Sequence, residues 1–184
     1  EKFTETSIHT KDGEHPIDIL ILATGFDAVT GSIMKLNPKG RNGEYLTDKW
    51  VERHETFMGL TIPDFPNLFM LQGPGSPGVF FTVPLGSERS VSWIADCISF
   101  MQKNDYGALD PKFEKAIAWG QELDALANYT LYPQTPSWYS GANIPGKSRQ
   151  FLGHLDGAGF YRRLAEIAEN EYQEFNFEVR NASS

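Results

Sequence analysis

Ile17-Asp18-Ile19-Leu20-Ile21-Leu22-Ala23-Thr24-Gly25-Phe26 decides how the rest of this chain is read. Its apolar residues run almost without alternation, the pattern of a strand covered on both faces of an α/β sheet. The run closes on a small residue, a hydroxyl and a glycine, and α/β sheets bind ligands beyond the carboxyl ends of their strands. On its own, Ala23-Thr24-Gly25 serves equally well as a tight strand exit. Upstream, residues 3–9 and 17–22 flank Lys11-Asp12-Gly13-Glu14, and Asp-Gly between apolar runs predicts a hairpin whose second strand is the deep one.

Downstream, residues 33–46 bracket Pro38-Lys39-Gly40-Arg41-Asn42-Gly43, where Asn-Gly predicts a turn between short strands. Asn67-Leu68-Phe69-Met70-Leu71-Gln72 is a second buried-strand candidate, running straight into Gly73-Pro74-Gly75-Ser76-Pro77-Gly78. The spacing of Val91, Ile94, Ala95, Ile98 and Met101 predicts a helix over about 84–102 with that face inward. Asp110-Pro111 reads as a cap and a first helical proline, ahead of a helix to about Asn128 with the stripe Phe113, Ala116, Ile117, Gly120 and Ala127. Residues 131–146, rich in proline, glycine and aromatics, fit neither period and form a long loop of the kind used as lid or binding element. Phe160, Tyr161, Leu164, Ile167, Ala168 and Tyr172 predict a last helix, and Phe175, Phe177 and Val179 a terminal strand. Asn181-Ala182-Ser183-Ser184 is expected to fray.

The 184 residues are 40% hydrophobic and 13% aromatic, enough to bury a core and to exclude a disordered chain. Sixteen Lys and Arg against twenty-four Asp and Glu leave a net charge of -8, which repels phosphate backbones and anionic lipid, so neither nucleic acid nor a membrane is an expected partner. No apolar run is long enough to span a bilayer, and Glu1-Lys2-Phe3-Thr4 does not read as a signal peptide. The single cysteine, Cys97, cannot form an internal disulfide, which together with these features sets a cytoplasmic location as the expectation. The opening, mid-strand and without Met, suggests a piece of something longer.

Gly73-Pro74-Gly75-Ser76-Pro77-Gly78 spells the dinucleotide fingerprint G-x-G-x-x-G, but the literal reading fails. Pro74 and Pro77 have no amide hydrogen, and the helix is expected to begin well after Gly78. Such a loop can still approach a flat cofactor ring, with the amides of Gly75, Ser76 and Val83 as donors, or it is a rigid turn closing a strand. The four histidines are too scattered to suggest a metal site. No G-x-S-x-G elbow offers a nucleophilic serine. Cys97 falls near its helix's apolar stripe and reads as a packed thiol. Lys147 and Arg149 could contact a phosphate or simply be solvated, and the sequons at Asn128 and Asn181 read as chance.

Taken in order, Asp18 to Asp27, Phe65-Pro66-Asn67-Leu68-Phe69, Gly73-Pro74-Gly75-Ser76-Pro77, Glu88 with Val91-Ser92-Trp93-Ile94, and Ser137-Trp138-Tyr139-Ser140-Gly141-Ala142-Asn143-Ile144-Pro145-Gly146-Lys147 resemble the C-terminal third of a type I Baeyer-Villiger monooxygenase. The Ala-Thr-Gly strand end is shared with other flavin monooxygenases; the Trp138 to Lys147 string is far more specific. The resemblance implies an α/β fold, the C-terminal part of a Rossmann-like flavoprotein with two dinucleotide-binding domains, incomplete on its own. Residues 1–26 would close the NADP-domain side and cross over, 27–130 belong to the FAD domain, 131–150 form the control loop, and 151–184 the last helix and strand. It further implies an enzyme in which NADPH reduces FAD and the reduced flavin uses O2 to convert a ketone to an ester or lactone.

In that picture Thr24 and Gly25 lie where the chain passes between domains, and Gly75, Ser76 and Val83 line the flavin. Gly78, Val79, Phe80 and Phe81 shape the substrate pocket. Trp138, with Asn143 and Lys147 on the same loop, folds over NADP and also borders the substrate. Physically, such a site must be kept dry, and a closing indole supplies apolar cover and one donor. The nucleotide fingerprints and the catalytic arginine of the family are absent from these 184 residues, so no catalytic residue is named, and the chain alone is expected to be inactive. The missing N-terminal FAD- and NADP-binding portion is therefore an expected partner. A related flavin enzyme oxygenating nitrogen or sulfur shares the Ala-Thr-Gly end but has no evident need of the Trp138 loop. A non-catalytic interaction fragment is the other alternative.

Overall fold

In a computed structural model, residues 2–180 are described. The tail expectation, and the sequon at Asn181, lie outside them. Strands β1 (Lys2–Phe3), β2 (Ser7–Thr10) and β3 (Gly13–Pro16) form an antiparallel meander, with Thr10 opposite Gly13 across Lys11-Asp12. The hairpin therefore exists, but its second strand stops at Pro16. The deep strand expected over 17–22 is not formed: Ile19 is 80%, Ile21 82% and Phe26 88% exposed. A doubly covered strand needs a neighbour along its edge and layers on both faces, and the described residues give this run no ladder partner.

Helices α1 (Gly31–Leu36) and α2 (Leu46–Lys49) flank the Asn42-Gly43 turn, where both residues adopt left-handed φ (65° and 82°). The strands expected on either side shrink to one bridge, Lys39 to Tyr45, because Ile33 is taken into α1. Leu46, Trp50, Ile62, Phe65 and Met70 close a small core here. The strand expected over 67–72 likewise reduces to the Thr61–Phe69 bridge. Asn67 turns at φ 62° and brackets Leu109: its N–H donates to the Leu109 carbonyl, and its Oδ1 accepts from the Leu109 N–H, both at 3.0 Å.

The main core lies among α3 (Val83–Lys103), α4 (Phe113–Asn128), α5 (Gly157–Glu169) and the antiparallel pair β4 (Tyr106–Pro111) and β5 (Phe175–Val179). Helix α3 matches its expected span, but its buried face is shifted, keeping Ile94 and Met101 of the expected stripe against the core. Ser90, Trp93, Cys97 and Met101 are buried, whereas Val91 and Ile98 face water. The two stripes differ by one helical step, and the one carrying the largest ring wins: Trp93 packs on Tyr172 and donates its Nε1–H to the Leu164 carbonyl at 2.9 Å. Cys97 is fully buried, and desolvation lifts its thiol to about 12, so it is a packing residue.

Asp110-Pro111 ends β4 instead of capping α4, which starts after Lys112, and Phe113 is half exposed. Asp110 Oδ1 instead accepts the Asp64 N–H at 2.9 Å. Ala116, Trp119, Leu123 and Ala127 form the buried face of α4. Helix α5 is capped by Asp156, whose carboxylate accepts the Gly159 N–H at 2.8 Å. No described helix is long and apolar enough to cross a membrane.

Candidate active site

The glycine-proline loop is a buried turn gripped from two directions. Gly73 N–H donates to Gly59 O (3.1 Å), Gly75 N–H to Leu152 O (2.9 Å) and Ser76 N–H to Gly73 O (3.1 Å), while Ser76 O accepts from His154 N–H (2.9 Å). Thr56 Oγ1–H donates to Pro74 O at 2.6 Å. The amides of Gly75 and Ser76, read from sequence as donors to a ring, are therefore engaged inside the protein, and for these two residues the rigid turn is what is observed. Val83 opens α3, and its N–H belongs to the first turn, which has no helical acceptor. Gly78 opens a short 3-10 turn, Gly78–Phe80, at whose end Phe80 and Phe81 diverge. Phe80 joins the long loop; Phe81 lies against Gly157 and Tyr161 at the start of α5.

Residues 131–150 carry two 3-10 turns, Tyr132–Gln134 and Trp138–Ser140, and no longer element. Gly141 turns the chain at φ 72°, where a Cβ would approach Ser148 O to 2.8 Å. Asn143 Nδ2–H donates to Phe26 O at 3.0 Å, and Lys147 Nζ reaches Asp27 Oδ1 at 2.6 Å and Ala28 O at 3.1 Å. The loop is thereby tied to the residues immediately after Thr24 and Gly25, which are themselves exposed. The Lys147 side chain is nearly buried and neutralised by Asp27, so it clasps the loop and is not a free cation; Arg149 is exposed. Further along, Gln150 mimics a peptide group, accepting His54 N–H at 2.6 Å and donating to His54 O at 3.2 Å.

Sequence reasoning missed the rings that join these segments. Phe80, Tyr132, Tyr139 and Phe151 form a cluster with centroids 4.7–6.3 Å apart, and Trp138 stacks on its rim against Tyr139 at 3.8 Å. The available signal was three aromatics within eight residues of an otherwise irregular loop. Tyr132 and Phe151 also wall a cleft of about 660 Å3 beneath the end of α4, together with Gln134, Arg149 and Asp124. Gly78, Phe80 and Phe81 do not line it.

Burial holds His54 down at about 4, with Lys147 adding to the effect, and its Nδ1 lies 3.2 Å from Ser148 Oγ. The unfolded imidazole takes up its proton below about 6.5, the folded one only near 4, so the neutral ring stabilises fully above pH 6.5 and this is lost progressively as pH falls to 4. The effect is on the order of 3 kcal/mol. Chemical denaturation of wild type and His54→Gln at pH 7 and 4.5 should show their stability gap shrinking at the lower pH. A gap independent of pH would assign the titration elsewhere.

No family model matches the chain. The proteins it resembles are monooxygenases, among them an FAD-binding one and others whose structures hold NADP or both FAD and NADP. The chain is homologous, over nearly all its length, to the C-terminal third of the Baeyer-Villiger monooxygenases. It is 39% identical to a Baeyer-Villiger monooxygenase of Pseudooceanicola batsensis over 92% of this chain and 31% of that protein. It is 34% identical to cyclohexanone 1,2-monooxygenase of an Acinetobacter species (98% and 33%) and to phenazine N-monooxygenase of Lysobacter antibioticus (95% and 32%). The fold matches cyclohexanone monooxygenase from Rhodococcus sp. Phi1 bound to NADP+ with a TM-score of 0.87 at 36% identity, covering 95% of this chain and 33% of that one. OTEMO in complex with FAD and NADP matches at 0.84 and 31% identity (92% and 31%). The chain thus spans about a third of the length of these relatives.

Uncrowded surface at Gly25, Gly78 and Trp138 leaves room for a flat cofactor face. The glycine loop offers no cradle of free amides, since those of Gly75 and Ser76 are engaged. A Cβ on Gly25 or Gly78 would meet nothing within 4 Å, the first turn of α3 carries no acidic residue, and the Trp138 ring is 36% exposed.

Proposed function

We propose that this chain is part of the active-site wall of an FAD-containing, NADPH-using monooxygenase that inserts one oxygen atom of O2 beside a ketone carbonyl to give an ester or lactone. The observation that carries this reading is the clasp of the Trp138 loop onto Phe26–Asp27–Ala28 through Asn143 and Lys147, directly after Thr24-Gly25, in a chain homologous to ketone monooxygenases. The bound flavin supplies the redox and oxygen chemistry. The residues of this chain shape, cover and dry the site. Thr24 and Gly25 border the cofactors at the crossover, and Gly75 and Ser76 back the flavin as a fixed turn. The Val83 N–H, at the positive end of a long helix, would hold the ring of the flavin when it is bound. Trp138 covers NADP with its exposed face, while Asn143 and Lys147 act by holding the loop. Gly78, Phe80, Phe81 and Trp138 border the ketone; Val79, expected with them from sequence, lies outside the described side chains. The remaining two thirds of the enzyme, carrying the nucleotide fingerprints, is the obligatory partner, and the cytoplasm remains the proposed location.

The Lysobacter relative favours a second reading, oxygenation of an aromatic nitrogen. Its match spans 95% of this chain, so the Trp138 loop lies within the matched stretch and does not by itself exclude nitrogen as the oxygen acceptor. Purification of the complete enzyme, an absorbance scan and NADPH consumption with cyclic ketones and N-heteroaromatics separate the two. Flavin absorbance and lactone products are expected. N-oxide alone would establish the second reading, and a colourless protein that takes up no FAD would overturn both.

Phe80 and Phe81 should part company in the same assay. Phe80→Ala opens the ring cluster and should reorder preferences among bulky ketones, changing relative kcat/KM by roughly tenfold, equivalent to a few methylene contacts. Phe81→Ala should chiefly loosen the start of α5, read as a lower melting temperature. An unchanged ketone profile for Phe80→Ala would make that ring ordinary packing.

A further inference from the structure

Trp138 and Tyr139 are consecutive residues of one 3-10 turn, where neighbouring side chains leave the axis about 120° apart. Their rings nevertheless stack at 3.8 Å and 25°. Something outside the turn must set that arrangement, and the contacts of Tyr139 show what it is. Its ring lies on Phe80 at 4.7 Å and meets the edge of Tyr132 at 5.3 Å, while its carbonyl accepts the Leu152 N–H at 2.8 Å. Phe80 is seated in turn by Gly153, where a Cβ would stand 3.0 Å from the ring. Resting on the functional reading above, we propose that Tyr139 is a positioning residue: its ring is the shelf that orients Trp138 and couples the cofactor-covering indole to Phe80 on the substrate loop.

Flat rings in face-to-face contact transmit orientation because tilting one forfeits the contact of both. The Tyr139 hydroxyl is a minor part of the device, since the residue is anchored through its backbone and its ring face. Phenylalanine should therefore serve in its place, and leucine, which has no face, should not. Trp138 is also readable by itself. Trp50, Trp93 and Trp119 are buried, so among this chain's tryptophans only Trp138 presents substantial surface to an aqueous quencher.

The test uses the complete enzyme and the variants Tyr139→Phe, Tyr139→Leu and Phe80→Leu. Iodide quenching assigned to Trp138, by difference from the same variants carrying Trp138→Phe, is measured beside the KM for NADPH and kcat. Tyr139→Leu should increase Trp138 quenching and raise the KM for NADPH roughly two- to tenfold, the range of one aromatic pair, with a smaller change in kcat. Tyr139→Phe should restore both values, and Phe80→Leu should shift Trp138 quenching in the same direction as Tyr139→Leu. A folded Tyr139→Leu enzyme with unchanged quenching and KM overturns the proposal, as does a Tyr139→Phe enzyme as impaired as the leucine variant. If Tyr139→Leu does not fold, unaltered Trp138 quenching in Phe80→Leu overturns it instead. An enzyme without ketone chemistry would remove the functional reading while the quenching arm still decides the role of Tyr139.

Discussion

Gly59→Ala is expected to destabilise the protein by about 3 kcal/mol or more, the sum of backbone strain and overpacking. Gly59 sits at φ 63°, and a Cβ there would stand 2.5 Å from Ser76 N and 3.0 Å from Pro74 O. Those neighbours are backbone atoms of the glycine-proline turn, already fixed by Gly73 N–H on Gly59 O and Thr56 on Pro74 O, so they have nowhere to yield. Gly146→Ala is the control: φ is 78°, but a Cβ there would meet nothing within 4 Å, so only the conformational penalty of about 1 kcal/mol applies. Thermal melts should place Gly59→Ala roughly 6–12 °C below wild type. A shift no larger than that of the control would show that the two turns are not locked together.

Trp138→Ala should cost the complete enzyme about tenfold or more in kcat/KM for NADPH, ~1.4 kcal/mol at least, with FAD content unchanged. The loop itself should stay in place, because its anchors are Asn143 and Lys147 on 26–28, Gln150 on His54, and Tyr139 O on Leu152 N–H, none of which involves the indole. Loss of cover without loss of the loop distinguishes a site role from a folding role. Unaltered steady-state kinetics for this variant would remove Trp138 from the site, and lost FAD would make it structural.

Periodicity located α3, α4, α5 and β5 because each carries enough repeats for the core-facing demand to show above composition. On α3 its stripe held at Ile94 and Met101 and failed at Val91, Ala95 and Ile98, since apolar count favoured those positions while packing favoured the larger Trp93 and the small Ser90. Strand β4 was missed: its end, Asp110-Pro111, was read as a helix start, and its pairing is completed by β5, which begins 64 positions after Pro111, and by the Asn67 amide. The run over 17–22 was read as a doubly covered strand, yet it forms no strand and stays exposed, because an apolar pattern states a need for cover and cannot supply the neighbour. At the site, the segments were visible as motifs, yet their jobs were not. The clasp of Asn143 and Lys147 was not legible because a sequence shows a polar end and never its partner; Asp27 and the Phe26 carbonyl lie more than a hundred residues away. Tyr139 and Tyr132 were hidden for the same reason, their value residing in Phe80 across the fold.

The engaged amides around Gly75 and Ser76 have a kinetic corollary. Dipoles already fixed at folding need not reorient when charge moves in a neighbouring pocket, and reorientation is the main cost of solvating a transition state in water. In the enzyme proposed above, that part of the reorganisation would be settled at folding, before any substrate arrives.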